Sequence, residues 1–598
     1  MCGICGIYHT DGKEPEFSSL AAMLQKLVRR GPDHEGTFSD GGLALGHRRL
    51  SIIDLSERSD QPMVDSDTGL VIVFNGTIYN YPQLKRELQG KGHHFFSSGD
   101  TEVIIKAYKE WGADCVTRLH GMFAFVIWDK HNKTFFMARD RLGIKPLYYS
   151  FINNTLVFAS NMQAILASNL VDKDINPEGL HYQLSLHGVI PAPNTIIRDI
   201  KKLPPGYSMT IFADGNSKIE SYWQLSIALD EDKKQWDDRQ WTEAIHDSLM
   251  SAVSKRLTIS DVPVGVLLSG GLDSSLLVAL LAEAGVHDLR TFSIGFNDIG
   301  DEKGSEFEFS DQIVSRYQTQ HKKFKIPNSE VLSRLPDAID NMSEPMVGQD
   351  AVAFYLLSEK VSQEVKVVQS GQGADELFAG YFWYPMMQQA KGSDANRFMP
   401  FYVDREHDEY LSAINHSFLG QNLNNFSGDY IQQHFANLPD GDYLNKVLHL
   451  DVSTLIVDDP VKRVDNMTMA WGLEARVPFL DHELVELAAQ MPSKYKYGAS
   501  GAKHMLKTIS RGKIPDAVID RPKGYFPMPA LKYVRGEFYD MMKDVLESNS
   551  CRQRNIFNPG YIKQLLDKPE ASENMTRLQG SKLWHMALLE KWFQQHNI

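Results

Sequence analysis

Val264-Gly265-Val266-Leu267-Leu268-Ser269-Gly270-Gly271-Leu272-Asp273-Ser274-Ser275 joins two apolar segments through a glycine-rich turn. Residues 263–268 read as a buried strand and 275–284 as a helix. Two glycines let a backbone approach an anion closely, and the serines and a helix N-terminus supply donors. A glycine turn alone says little; strand, turn and helix in succession predict a phosphate-binding loop. The GxxxxGK(S/T) pattern is absent, which disfavours γ-phosphate transfer. Asp273 offers the carboxylate oxygen that a hard cation bridging phosphates requires.

The alternation continues outward. Residues 290–295 read as a strand, 309–317 as a helix and 366–369 as a strand. This order predicts a parallel sheet with right-handed crossovers. The last strand runs into Ser370-Gly371-Gln372-Gly373-Ala374-Asp375-Glu376. Such a loop at a sheet's carboxyl edge is a ligand position, with Asp375 a second candidate metal carboxylate. Lys503, in Gly501-Ala502-Lys503-His504, is a candidate phosphate contact; by itself it reads more readily as surface. From about residue 443 the chain reads as mainly helical. Asp465-Asn466-Met467 and residues 474–481 are expected to be helical framework around the pocket.

Residues 1–215 read differently. The runs 70–74, 123–128 and 134–138 are β-branched or aromatic and continuously apolar, as in strands buried on both faces. Helices are expected at 17–29, 81–89 and 101–111. The segment opens Met1-Cys2-Gly3-Ile4-Cys5. With Met1 removed, Cys2 would carry a thiol and a free α-amino group, nucleophile and base on one residue. Polar clusters containing Arg49, Asn75-Gly76 and Asp100 are expected at strand or helix ends, where sites are commonly built. Each alone reads as a turn or a salt-bridged loop, Asn-Gly being a frequent hairpin signal.

The 598 residues exceed what one core holds, and a composition 42% hydrophobic and 23% charged is that of a globular protein. A net charge of -14 argues against non-specific nucleic-acid binding. No leader-like or membrane-spanning run is evident, so a cytoplasmic protein with no membrane partner is expected. Four cysteines make no disulfide framework, and Cys2 with Cys5 lacks the further ligands of a metal site. Breaks at Pro204-Pro205-Gly206 and Asp214-Gly215, then a polar run, divide the chain into 1–215, a linker 216–239, and 240–598.

The first segment resembles the glutaminase domain of class II glutamine amidotransferases, an αββα N-terminal-nucleophile fold. The resemblance implies that Cys2 attacks the amide of glutamine and that Asn75 and Gly76 form the oxyanion hole. It places Arg49, Leu50, Ile53 and Asp100 around the substrate, Arg49 on its carboxylate and Asp100 on its ammonium. One departure is Thr77, where the family usually reads Glu. The second segment resembles ATP pyrophosphatases. The resemblance implies ATP and Mg2+ as cofactors, with Ser269, Gly270, Gly271, Asp273 and Ser274 at the pyrophosphate. Leu267 and Ile294 would frame the adenosine, Ser370 and Gly371 would close the site, and Asp273 and Asp375 would hold the metal.

Together the segments resemble glutamine-hydrolysing asparagine synthetases. By that resemblance a carboxylate and ATP give acyl-AMP, which ammonia from the Cys2 site converts to an amide. Gln372 departs from the Glu usual at this acyl-AMP position, and a glutamine side chain cannot take a proton from ammonium. Gln372, with the stretches 342–347, 350–355, 464–471 and 520–527, resembles the N-acetylglutaminylglutamine amidotransferase branch, which makes an osmoprotectant dipeptide amide. The alternatives are an asparagine synthetase and an inactive interaction protein. The expected partners are glutamine, ATP and a carboxylate acceptor, with a homodimer as the candidate assembly.

Overall fold

A computed structural model describes residues 2–298, 303–348, 350–420, 422–521, 534–578 and 580–598. The first domain contains β1 (Gly3–His9), β2 (His34–Asp40), β3 (Leu43–Arg49), β4 (Met63–Asp65), β5 (Leu70–Ile78), β6 (Gly121–Asp129), β7 (Thr134–Arg139), β8 (Tyr148–Ile152), β9 (Thr155–Ala159), β10 (Lys201–Lys202), β11 (Tyr207–Ile211) and β12 (Ser217–Ser221). They form two six-stranded antiparallel sheets, ordered β10-β8-β9-β1-β3-β2 and β12-β11-β7-β6-β5-β4.

The continuous apolar runs have a simple cause. Val71 and Val73 of β5 pack with Ile4, Leu45 and Phe158 between the sheets. Leu70, Ile72 and Phe74 point the other way, against Leu84, Val103 and Ile104 of the helices Tyr81–Gly90 and Asp100–Trp111. The opposite outer face, with Cys5 and Ile7, packs on the helices Phe17–Gln25 and Met162–Ala167. The result is the expected αββα layering. β12 lies inside the stretch expected as linker, and the helix Asp238–Thr258 begins before its end.

The second domain is built on β13 (Val264–Leu267), β14 (Arg290–Phe296), β15 (Gln320–Ile326), β16 (Val367–Gln369) and β17 (Glu474–Arg476). They form one parallel sheet, ordered β15-β14-β13-β16-β17. The order reverses at β13 and β16, so the loops after these strands flank the topological switch point where such sheets bind ligands.

Two expectations need correction, and one strand was not foreseen. Asn75 and Gly76 lie inside β5, paired with Ala124 and Phe123 of β6, rather than at a strand end. Glu474–Arg476 is the edge strand β17, not helix; Asp465 to Met467 do lie in the helix Lys462–Met469. Strand β15 escaped reading because it carries Lys322, Lys323 and Lys325 on a largely exposed edge. Of the stretch 520–527, residues 522–527 lie outside the described residues. Among the described residues no helix is long and apolar enough to cross a membrane.

Candidate active sites

The first candidate site sits where β1 begins beside the middle of β5. The Cys2 backbone nitrogen donates to Asn75 Oδ1 at 3.0 Å. That contact fixes the Asn75 amide, whose Nδ2 is buried without a hydrogen-bond partner among the described residues. A Cβ at Gly76 would stand 2.2 Å from the Met122 carbonyl oxygen, so only glycine fits. Burial pushes the Cys2 thiol up; the Leu50 N–H and the Arg49 guanidinium work against that. A thiol held up in this way needs a base to become a nucleophile.

Arg49 is buried and donates to the Ser56 carbonyl at 2.9 Å, to Asp60 at 2.6 Å and to the Asp54 carbonyl. Leu50 is buried and Ile53 half-buried in the loop that follows. The second domain pins this loop: Asp261 N donates to the Ile52 carbonyl at 2.9 Å, and Asp54 N donates to the Asp261 carboxylate at 2.7 Å. Asp100 accepts from Ile78 N at 3.0 Å, one residue beyond Thr77. Burial pushes its carboxyl up to about 6. Asp465 of the second domain accepts from Arg30 at 2.8 Å and Lys145 at 3.1 Å, and Arg30 Nε reaches the Cys2 carbonyl at 3.3 Å.

The second candidate site follows β13. The Ser269 and Ser274 hydroxyls lie 3.1 Å apart, and Gly271 N donates to Ser269 Oγ at 3.3 Å. Gly270 has φ +79°, and a Cβ there would meet Ser310 N at 2.8 Å. The helix Leu272–Glu283 then starts, its N-terminus facing the loop. The loop after β16 presses against it, a Cβ on Gly371 coming within 3.2 Å of Asp273 Cβ and Ser274 N. Lys503 Nζ lies 2.6 Å from Asp273 Oδ2 and 2.8 Å from Asp375 Oδ1. Burial opposes its charge, but the two carboxylates outweigh burial and raise its pKa.

Leu267, Ile294, Ser370, Gly371 and Gln372 share a cavity of about 970 Å3 with this loop. The structure thus gathers the expected nucleotide residues around one space. It also brings in residues that sequence reasoning missed. The cavity continues to His187, Trp383, Asp459 and Arg463, which join Asp350 of the 350–355 stretch. Arg463 is paired with Asp459 at 2.5 Å and Asp350 at 3.2 Å. His187 Nδ1 donates to Asp404 Oδ2 at 2.8 Å, and this carboxylate raises the imidazole pKa against the effect of burial. The available signal was Pro460 within a helical, acidic stretch: the wide-turned segments Asp451–Leu455 and Val457–Val461 line this wall. Such wide turns recur at functional sites.

A family profile described as a glutamine amidotransferase domain matches residues 1–223, and one described as asparagine synthase matches 244–594. Glutamine-hydrolyzing asparagine synthetase 3 of Bacillus subtilis is 30% identical over 636 residues, covering 100% of this chain and 99% of that protein. Asparagine synthetase 1 of the same organism is 29% identical over 640 residues, covering 100% and 98%. Asparagine synthetase 2 of Oryza sativa is 30% identical over 556 residues, covering 90% and 77%. The chain therefore belongs to the asparagine synthase family of carbon–nitrogen ligases, with a glutamine amidotransferase domain at its front.

Proposed function

We propose that this chain hydrolyses glutamine at Cys2 and uses the ammonia, with ATP, to amidate the carboxylate of N-acetylglutaminylglutamine through an acyl-AMP. The observation that carries the reading is one cavity shared by the Ser269 loop, Asp273, Asp375, Lys503 and Gln372, on a chain whose other domain positions Cys2 on Asn75.

The chemistry follows from the residues. With Met1 removed, the Cys2 nitrogen becomes an amine that takes the thiol proton, and the thiolate attacks the glutamine amide carbon. The buried Asn75 Nδ2 and the Gly76 N–H donate to the resulting oxyanion. Collapse expels ammonia, and water releases glutamate from the thioester. In the second domain the Ser269–Ser274 hydroxyls, the loop N–H groups and the helix N-terminus hold the phosphates of ATP. Asp273 and Asp375 already converge on one cation, Lys503 Nζ, and their hard oxygens fit Mg2+, which would neutralise phosphate charge. Lys503 is then placed to turn from the carboxylates to the phosphates. The acceptor carboxylate attacks the α-phosphorus, PPi leaves, and ammonia displaces AMP from the acyl carbon.

Gln372 supports the dipeptide acceptor: its amide cannot take a proton from ammonium, and it alters a loop beside the acyl-AMP position. A capped dipeptide has no ammonium and offers amides instead. Asparagine formation from aspartate is the second reading, favoured by the names of the full-length relatives. PPi release decides between them, measured with glutamine, Mg-ATP and either N-acetylglutaminylglutamine or aspartate. Turnover of the dipeptide with at least 100-fold less on aspartate is expected; the reverse order refutes the dipeptide reading.

A further inference from the structure

Thr77 occupies the position where a carboxylate is expected beside Asp100, yet its hydroxyl is not alone. Thr77 Oγ1 donates to Glu474 Oε1 at 3.4 Å. Glu474 belongs to β17, in the other domain, and is fully buried. Arg476 Nε holds the same oxygen at 2.5 Å, and Arg476 Nη1 is anchored on the carbonyls of Arg256 and Ile259 at 2.7 Å each. An edge strand of the parallel sheet therefore delivers a rigid carboxylate to β5, one residue from the oxyanion-hole pair Asn75 and Gly76.

We propose that Glu474 supplies, from the synthetase domain, the second anionic partner of the glutamine α-ammonium, replacing in space the carboxylate that Thr77 lacks. The inference rests on the glutaminase reading of Cys2. Charge balance favours it. Asp100 accepts from backbone N–H, and its carboxyl is pushed up by burial with a further contribution from Glu474. Glu474 is itself held down to about 2: burial opposes ionisation, but Arg476, by its charge and its hydrogen bond, outweighs it. Arg476 is bonded to Glu474 and leaves Asp100 without an ion pair of its own among the described residues, an arrangement that a substrate ammonium between the two carboxylates would relieve. Thr77 is small enough to leave Glu474 room, whereas a glutamate there would compete for the same space and sign.

The arrangement also explains why the pairing is stiff. Glu474 and Arg476 are in register with Val367 and Gln369 of β16, and Ser370 N, the start of the nucleotide loop, donates to the Arg476 carbonyl at 2.9 Å. The glutamine pocket and the nucleotide loop therefore meet on a strand of three residues.

The test compares glutamine with glutaramate, the same amide lacking the α-amino group, in wild type, Glu474→Gln, Glu474→Asp and Glu474→Gln/Thr77→Glu. Glu474→Gln should raise KM for glutamine about 10- to 100-fold while kcat changes less than about threefold, the size of a lost charged hydrogen bond. Its preference for glutamine over glutaramate should fall by the same factor. Glu474→Asp and the double variant should each recover at least part of the loss. Ammonia-supported PPi release, which needs no glutamine, checks that each variant is folded. An unchanged preference, or a fall in kcat at constant KM, overturns the proposal and makes Glu474 a partner of the Cys2 amine. If Glu474→Gln does not fold, the preference measured in Glu474→Asp decides in the same way. Wild type that hydrolyses no glutamine would instead refute the glutaminase reading itself.

Discussion

Replacing Lys503 by Ala removes the cation wedged between Asp273 and Asp375. Its Nζ lies 2.6 and 2.8 Å from the two carboxylates, and the residue is 8% exposed. A hydrogen bond to a charged group contributes about 1.5–3 kcal/mol. The two carboxylate side chains keep 20% and 21% of their surface in water. Solvent therefore relieves part of their repulsion, and a total loss of about 2–4 kcal/mol is expected rather than the sum. Magnesium should return it, because a ligand at 100 times its Kd stabilises the folded state by about 2.7 kcal/mol. Without nucleotide, the apparent Tm of Lys503→Ala should thus drop and recover with added Mg2+, while wild type responds weakly. PPi release at saturating acceptor should fall about 100- to 1,000-fold, since a preorganised charge on the phosphates is gone. Glutamine hydrolysis should persist. PPi release within threefold of wild type, or equal Mg2+ responses in both proteins, would refute the reasoning.

Other substitutions separate the two chemistries. Cys2→Ala should abolish glutaminase activity and keep ammonia-supported amidation; equal loss of both in a folded protein would contradict the division of labour. Asp273→Asn should lower PPi release by about 100-fold or more with glutamine hydrolysis spared, and an unchanged release rate removes Asp273 from the site. Burial pushes Asp100 up to about 6, so glutamine meets an ionised carboxylate above that pH and a neutral one below. KM for glutamine should therefore rise about tenfold per pH unit below 6, and Asp100→Asn should flatten this limb. For folding the sign is opposite: the native state keeps a proton between the ordinary 3.8 and about 6, so Asp100 costs stability as pH rises through that window.

The sequence revealed what depends on local rules. Strand β13, its glycine loop and the following helix differ from expectation by one to three residues at each end, because buried apolar runs and glycines specify them locally. The layered first domain was legible because β5 is apolar on both faces. Contacts between distant segments were not legible. Nothing in Glu474-Ala475-Arg476 reports that Thr77 lies opposite, nor does Asp261 announce its hold on the 52–54 loop. The pairing of Arg463 with Asp350 and Asp459 was hidden because half-buried ion pairs look like surface charge until the helices are packed.

The grip of Asp261 on the loop after Arg49 has a consequence for protein synthesis. The ribosome releases the first third, the glutaminase domain, before the rest, which at 5–20 residues per second is complete on the order of 20–75 s later. During that interval the nucleophile can already lie on Asn75, but the loop carrying Leu50 and Ile53 lacks the carboxylate and N–H that fix Asp54 and Ile52. A partly made enzyme is thereby expected to hydrolyse glutamine poorly. The order of emergence from the ribosome becomes a safeguard: hydrolysis reaches full strength once the domain that spends the ammonia has folded.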